Sequence, residues 1–255
     1  MYLSAERLAL ANQTVQETFE QSCVAWQAIP HWDTGDPGQA RVPNDIVNNP
    51  GFLPLVLKKQ DFQVTVLQAN APTPDPLLTE VMFYTAKLAG IVDDDVIPDL
   101  YAADTTPTQT GTGPQALLNT LIAIRAGVEN EGYRAPSCLL TNTAGLQKLS
   151  QLVSGYSILQ QLLVAANINS LHRADKLDTV NTKTRLVILG RRQRIAHGSA
   201  AEASPGEEPV DLAVSVLPSL EVVGETSTGK IELSVRIRYA TRIKHAKALV
   251  AKYDP

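Results

Sequence analysis

The residues whose spacing most resembles a chemical motif are Gly224-Glu-Thr-Ser-Thr-Gly229-Lys230, a Gly-x-x-x-x-Gly-Lys pattern of the kind that wraps backbone N–H groups around phosphates. Two features argue against that use. Ile231 stands where a Ser or Thr would touch Mg2+, and the residues beyond it alternate as a strand where a phosphate site needs a helix N-terminus. The stretch is expected to be a hairpin turn. Asp93-Asp94-Asp95 places three carboxylates in a row, donors suited to a hard cation. No Gly-punctuated loop surrounds them and Pro98 is expected to end the segment, so the reading is a solvated helix end. His31, His172, His197 and His245 are scattered, none at ligand spacing from a Cys, a Glu or another His. Neither a Gly-x-Ser-x-Gly elbow nor a zincin helix motif is present. No catalytic residue, cofactor or metal site is assigned. Arg191-Arg192-Gln193-Arg194 is a basic run at a strand end, expected as a solvated edge or an intersubunit ion pair.

Composition narrows the class further. At 255 residues the chain can bury a full core in one or two compact units. Its 44% hydrophobic content is that of a globular protein and excludes a wholly disordered chain. Only 5% is aromatic, so packing must rest on Leu, Val, Ile and Ala. A net charge of -4 gives no electrostatic footprint for sequence-specific nucleic-acid binding. Cys23 and Cys138 are isolated thiols, expected to be buried and suited to a reducing cytoplasm. No apolar run reaches the roughly 20 residues that span a bilayer, and the start has no signal-peptide pattern, so a soluble chain made in the cytoplasm is expected.

The elements follow from periodicity. Leu8, Val15, Phe19, Cys23 and Trp26 share a helical stripe, which predicts an amphipathic helix over 4–28, stopped by Ile29-Pro30 and the Gly and Pro residues to Gly38. Phe52–Leu57 and Phe62–Leu67 are two apolar stretches joined by Lys58-Lys59-Gln60-Asp61, expected as two strands around a charged turn. A long hairpin cannot bury enough surface by itself and needs a partner. Leu77 to Ile97 carries a wide apolar face for a helix that Thr73 or Asp75 would cap. Residues 102–114 read as a linker, 115–127 as a helix, 135–149 as strand, turn and helix, 158–171 as a helix, 185–189 as a strand and 197–209 as an exposed loop. Asp211 to Val223 is β-branched and apolar. Ile231, Leu233, Val235, Ile237 and Tyr239 then alternate with Glu232, Ser234, Arg236 and Arg238, a strand with one buried face. Together these predict a long antiparallel pair.

The order Asp211-Leu-Ala-Val, Gly-bearing turn, alternating strand ending in Arg238-Tyr-Ala-Thr-Arg242 and short apolar tail resembles the end of encapsulin shell proteins and tailed-phage major capsid proteins. Leu139-Leu-Thr-Asn-Thr-Ala144 running into a helix is similar to the central domain of phage capsid proteins. The resemblance implies an α+β chain with the Hong Kong 97-type capsid fold. Its parts would be an N-terminal arm (1–40), an extension loop or β-hairpin (41–72), a peripheral domain with a spine helix and long β-strands (73–112 and 218–255) and an axial α/β domain (113–217). It implies a structural, non-enzymatic major capsid protein in the virion of a tailed phage or prophage, assembled in the host cytoplasm without a membrane or cofactor. Its partners would be many copies of itself in pentamers and hexamers, with scaffold, portal or decoration proteins, around double-stranded DNA that is bound without sequence specificity. Lys58, Lys59, Arg236 and Arg238 are the expected intersubunit contacts. The alternative is an encapsulin shell around a cargo enzyme, where the N-terminal helix helps form the groove for a targeting peptide. Gln21-Ser-Cys-Val-Ala-Trp-Gln-Ala-Ile-Pro-His-Trp32 does not resemble the usual encapsulin opening, which puts the phage reading first. An α+β enzyme or ligand-binding domain is the reading from a different class.

Overall fold

The structure is a computed structural model and describes residues 3–46, 48–104, 108–109, 113–178, 183–196, 198–203 and 207–253. The chain opens with α1 (Ala5–Ser22), α2 (Val24–Ala28), β1 (His31–Asp33), β2 (Arg41–Pro43), β3 (Phe52–Pro54), β4 (Val56–Thr65) and α3 (Val66–Ala69). The long helix α4 (Asp75–Ala102) and a short β5 (Thr108–Gln109) follow. The middle holds α5 (Pro114–Asn130), β6 (Ala135–Thr141), α6 (Thr143–Leu149), β7 (Leu152–Val153), β8 (Tyr156–Ser157), α7 (Leu159–Ala165), β9 (Ile168–Arg173) and β10 (Arg185–Arg191). Two long strands, β11 (Val210–Glu225) and β12 (Lys230–Ile243), precede the closing β13 (Leu249–Tyr253). Parts of the expected linker (105–107 and 110–112) and loop (197 and 204–206) lie outside the described residues.

Two sheets share one helix. The first has the order β1-β11-β12-β4 and the second β5-β13-β10-β6-β9. Helix α4 buries Leu77, Val81, Leu88, Val92, Val96 and Leu100, the three- and four-residue spacing of one helical stripe. A continuous core joins that stripe and α1 to Phe62, Val64, Leu233, Val235 and Ile237 of the first sheet and to Cys138, Leu140, Val187 and Leu189 of the second. Since neighbours along a strand face opposite ways, Leu139, Leu186 and Ile188 turn to the other face and pack with Leu117, Leu121 and Ile124 of α5 and Leu162 of α7. Gly190 permits that packing: a Cβ there would meet Val128 Cγ1 at 2.4 Å.

The long antiparallel pair is present as expected, with β11 against β12 in registers such as Leu212 with Thr241 and Leu220 with Val235. The Gly224–Lys230 stretch is its turn. Thr226 N–H donates to Lys230 O (2.8 Å), Gly229 N–H returns to Thr226 O (3.0 Å), and Gly229 takes a φ of 73°, which glycine accepts without a Cβ clash.

Several expectations are corrected. Lys58-Lys59-Gln60-Asp61 is no turn but the middle of β4, paired against Ser234–Ile237 of β12. The polar run marks an edge strand whose outer face is solvated, and Lys58 lays its stem along the inner face to reach an acid beyond. Val66 and Leu67 begin α3, closed by a capping box between Thr65 and Gln68. The hairpin is instead β2 with β3. Pro98 does not end α4, which continues to Ala102. Burial of Val96, Ile97 and Leu100 around it outweighs a penalty of about 3 kcal/mol for an interior proline. Neither Thr73 nor Asp75 caps that helix: Pro74 holds the N-cap and Asp75 sits in the first turn, where its charge favours the helix dipole. The predicted helix 158–171 stops at Ala165, and Ile168–Arg173 is strand β9, parallel to β6. Residues 210–217 pair within the first sheet, and Leu249–Tyr253 pairs with β10 in the second.

Candidate functional site

The outer face of the first sheet carries a row of polar side chains. Lys59 and Arg236 are register partners across β4 and β12 on that face. Their like charges are offset by acids: Lys59 Nζ lies 2.7 Å from Asp61 and Arg236 Nη1 lies 2.5 Å from Glu221. Hydrogen bonding and charge from Asp61 hold the Lys59 ammonium above its usual range. Arg238 donates to the carbonyl of Pro37 at 3.4 Å. Lys58 points the other way and pairs with Asp95 of α4 at 2.5 Å. The same Asp95 accepts from the Tyr239 hydroxyl at 3.2 Å, and burial followed by the Asp95 charge pushes that phenol up. Three of the four residues expected at contacts therefore lie on or beside one outer face, and the fourth is engaged inside its own chain.

The β2–β3 hairpin rises from this sheet. Val42 and Leu55 pack on Ala213, Ala240 and Trp32. Arg242 locks the base: its Nε and Nη2 donate to Asp211 Oδ1 and Oδ2 at 2.6 and 2.7 Å, and its Nη1 reaches Pro43 O (3.2 Å) and Asp45. Lys244 completes the buried cluster, 2.8 Å from Asp211. Beyond the base the hairpin is open, with Phe52 71% exposed. Two other elements likewise leave apolar side chains in solvent, with Leu67 on α3 at 81% and Tyr156 on β8 at 77%.

A groove of about 390 Å³ lies between α1, β1 and β11. Trp26, Trp32, Leu217 and Pro218 line it together with Glu20, Asp33 and Glu202. The His31 ring stacks on Trp26 at 3.8 Å, and burial lowers the pKa of its imidazole.

The other sequence candidates disperse. Asp93, Asp94 and Asp95 turn to three different elements: Asp93 caps α2, Asp94 pairs with Lys176 at 3.0 Å and Asp95 meets Lys58. Asp93 is buried, which corrects the reading of a wholly solvated helix end. Both thiols are buried as expected. Burial pushes Cys138 up, but a hydrogen bond from His172, the charge of Arg191 and a hydrogen bond from Ser170 outweigh it and leave the thiol below its usual range. Arg191 is no solvated edge, since it is 2% exposed and donates to Ala28 O at 2.8 Å. Among the described residues no group of three His, Cys, Asp or Glu is arranged to hold a metal ion, and no helix is long and apolar enough to cross a membrane. The Arg242–Asp211–Lys244 cluster and the groove were not legible from local spacing, because strand pairing brings Asp211 to Arg242 from 31 residues away and the groove is lined from separate elements.

No family model matches the sequence, and no curated protein matches it. Solved structures do. A virus-like particle from Pyrococcus furiosus superposes with a TM-score of 0.71, covering 97% of this chain and 100% of that one at 15% identity. The chain has the Hong Kong 97-type capsid fold. A phage-related protein from Bordetella bronchiseptica shares the fold with a TM-score of 0.63 at 8% identity, covering 96% of each chain. The SrpI encapsulin of Synechococcus elongatus, solved as a holo complex, gives 0.56 at 14% identity over 88% of this chain and 84% of its own. In this capsid fold α4 is the spine helix, and β11 and β12 are the long strands.

Proposed function

We propose that this chain is a structural subunit that assembles with many copies of itself into a closed icosahedral shell, and that the shell encloses the double-stranded DNA of a tailed phage or prophage. The observation that carries the reading is the β2–β3 hairpin, held at its base by Arg242 yet presenting Phe52 to solvent. An apolar side chain on a projecting arm loses hydration cost only when another surface covers it. Leu67 and Tyr156 are exposed apolar side chains on other elements, so each copy offers several separate surfaces to neighbours, as a closed symmetric assembly requires. Lys59, Arg236 and Arg238 are proposed as polar contacts at these interfaces, with Lys58 acting from behind through Asp95. The net charge of -4 fits a container that holds DNA without reading its sequence. Scaffold, portal or decoration proteins would be its further partners, and no chemical step is needed.

A second reading, an encapsulin shell around a cargo enzyme, is favoured by the groove beside α1, whose aromatic and acidic lining suits a peptide segment. Size-exclusion chromatography and negative-stain microscopy of the purified chain test the shell itself. Closed particles eluting in the megadalton range are expected, whereas a stable monomer at high concentration overturns the proposal. Nuclease-protected DNA inside the particles supports the phage reading, and a co-purifying enzyme inside them supports the encapsulin reading.

A further inference from the structure

The first sheet ends on a long edge. Strand β4 runs for 10 residues and pairs with β12 without a register shift. Among the described residues no strand lies on its other side. Successive residues of a strand turn their N–H and C=O groups alternately to one neighbour and the other. Three contacts mark which residues face away from β12: Leu55 N–H donates to Ala40 O at 2.9 Å, Lys59 O accepts from Gln60 Nε2 at 3.1 Å, and Thr65 N–H donates to Gln68 Oε1 at 2.9 Å. All three are odd-numbered, so Leu57, Asp61 and Gln63 point off the sheet as well. The chain's own loop meets the edge at Leu55, and from Leu57 to Gln63 no strand among the described residues meets it. A row of backbone groups of this kind is a template for another strand.

Charge on the outer face is graded along the same edge. Leu57 is level with Arg238 of β12, and Lys59 with Arg236. Further along, Asp61 is level with Ser234 and Gln63 with Glu232, while Ser234 is level in turn with Glu221 of β11. The half of the face toward Leu57 is therefore basic and the half toward Gln63 acidic. The two halves touch at their boundary, with Lys59 Nζ 2.7 Å from Asp61 and Arg236 Nη1 2.5 Å from Glu221.

We infer that β4 pairs antiparallel with β4 of a second copy about a two-fold axis at Gln60. The inference rests on the reading of this chain as a self-assembling subunit and names the partner of one edge. In that register Lys59 faces the partner's Asp61 and Leu57 faces the partner's Gln63, so the basic half of each outer face meets the acidic half of the other. The odd-numbered residues exchange backbone hydrogen bonds and the even-numbered ones form the close, non-hydrogen-bonded pairs. A shift of two residues in either direction would set Lys59 against Lys59 or Asp61 against Asp61, and like charges directly opposite are destabilising. Charge thus selects the register. The layer beneath accommodates it. Helix α4 packs under β4 and β12 and α1 under β11, two helices for a four-stranded sheet. Strands spaced about 4.8 Å apart and helices roughly 8–10 Å apart require that ratio, and doubling the sheet across the axis preserves it.

Gln60→Cys in the full-length protein tests the axis directly. Its two copies would sit opposite each other with Cα atoms about 4.5 Å apart, within the reach of a disulfide. Cys23 and Cys138 are buried and stay out of the reaction. Mild oxidation is expected to give about tenfold more disulfide-linked dimer from Gln60→Cys than from Gln63→Cys, whose side chain faces the partner's Leu57. Adding Lys59→Asp to Gln60→Cys sets acid against acid and should lower the dimer yield about fivefold, and adding Asp61→Lys to that chain should restore it. Particle size is read on the same samples by size-exclusion chromatography. Large particles in which Gln60→Cys yields no more dimer than Gln63→Cys would overturn the β4 pairing and leave the shell standing. Cross-linked dimers that assemble no further would support the pairing and overturn the shell.

Discussion

Asp93, in the body of the spine helix, holds its Oδ1 2.8 Å from the backbone nitrogen of Ala25 in the first turn of α2. Its Oδ2 accepts from Val24 N–H at 3.0 Å, and Cys23 Sγ lies 3.3 Å from Oδ1. Helix α2 has no cap of its own, so a carboxylate from a helix some 70 residues away closes it. Burial raises the Asp93 pKa against the pull of these donors and pushes the Cys23 thiol up beside it. Asp93→Ala leaves two N–H groups buried without an acceptor and should cost about 1–3 kcal/mol. Denaturant unfolding of the purified variant measures the loss, and an unchanged midpoint would show that the cap carries no weight.

Leu88 stands on the face of α4 that enters the shared core, fully buried. Because the helix serves both sheets, a cavity there has no flexible surface on which to collapse. Leu88→Ala is expected to lose about 2–5 kcal/mol, whereas Met82→Ala, on the exposed face of the same helix, should stay within about 0.5 kcal/mol. Equal losses at both positions would contradict the placement of α4.

The alternation from Ile231 to Tyr239 and the stripe of α1 were legible because each element buries chiefly one face. The period of burial then equals the period of the backbone. The reading failed where burial came from two sides or from an edge. Lys58 to Asp61 looked like a turn because an edge strand shows solvent a whole face of polar residues, and only the pairing with β12 reveals it as continuous. Ile168 to Leu171 lacked a distinguishing period, since a short apolar run fits a helix end or a parallel strand equally. The acids at 93–95 carried no signal at all about their separate partners. Such contacts are set by how α4 meets α2, β4 and the segment around Lys176, which no local spacing encodes.

Arg242 joins the hairpin to the sheet through Asp211, and neither charge has water to fall back on. Removing one partner from a buried pair leaves the other uncompensated. Arg242→Met should destabilise the chain by about 3 kcal/mol and release the hairpin base, so limited proteolysis is expected to cut within 44–51 sooner than in the wild type. Asp211→Leu, which strands both Arg242 and Lys244, should cost more than Arg242→Met, which leaves Asp211 its Lys244 partner. Proteolysis that remains unchanged in Arg242→Met would mean that Val42 and Leu55 hold the hairpin by themselves.

Phe52 separates folding from assembly. Its ring is open to solvent in the single chain, so Phe52→Ser removes little that the fold uses and should move stability by no more than about 0.5 kcal/mol. At an interface the same ring would exclude water over its whole face, and burial of a Phe side chain contributes about 1.5–3 kcal/mol. Repeated at every copy in a closed particle, that loss is expected to shift the chain toward small oligomers in size-exclusion chromatography while circular dichroism stays unchanged. Leu152→Ser on the exposed β7–β8 hairpin provides a parallel test at a separate surface. Full-sized particles at wild-type yield from both variants would place the contacts elsewhere on the subunit.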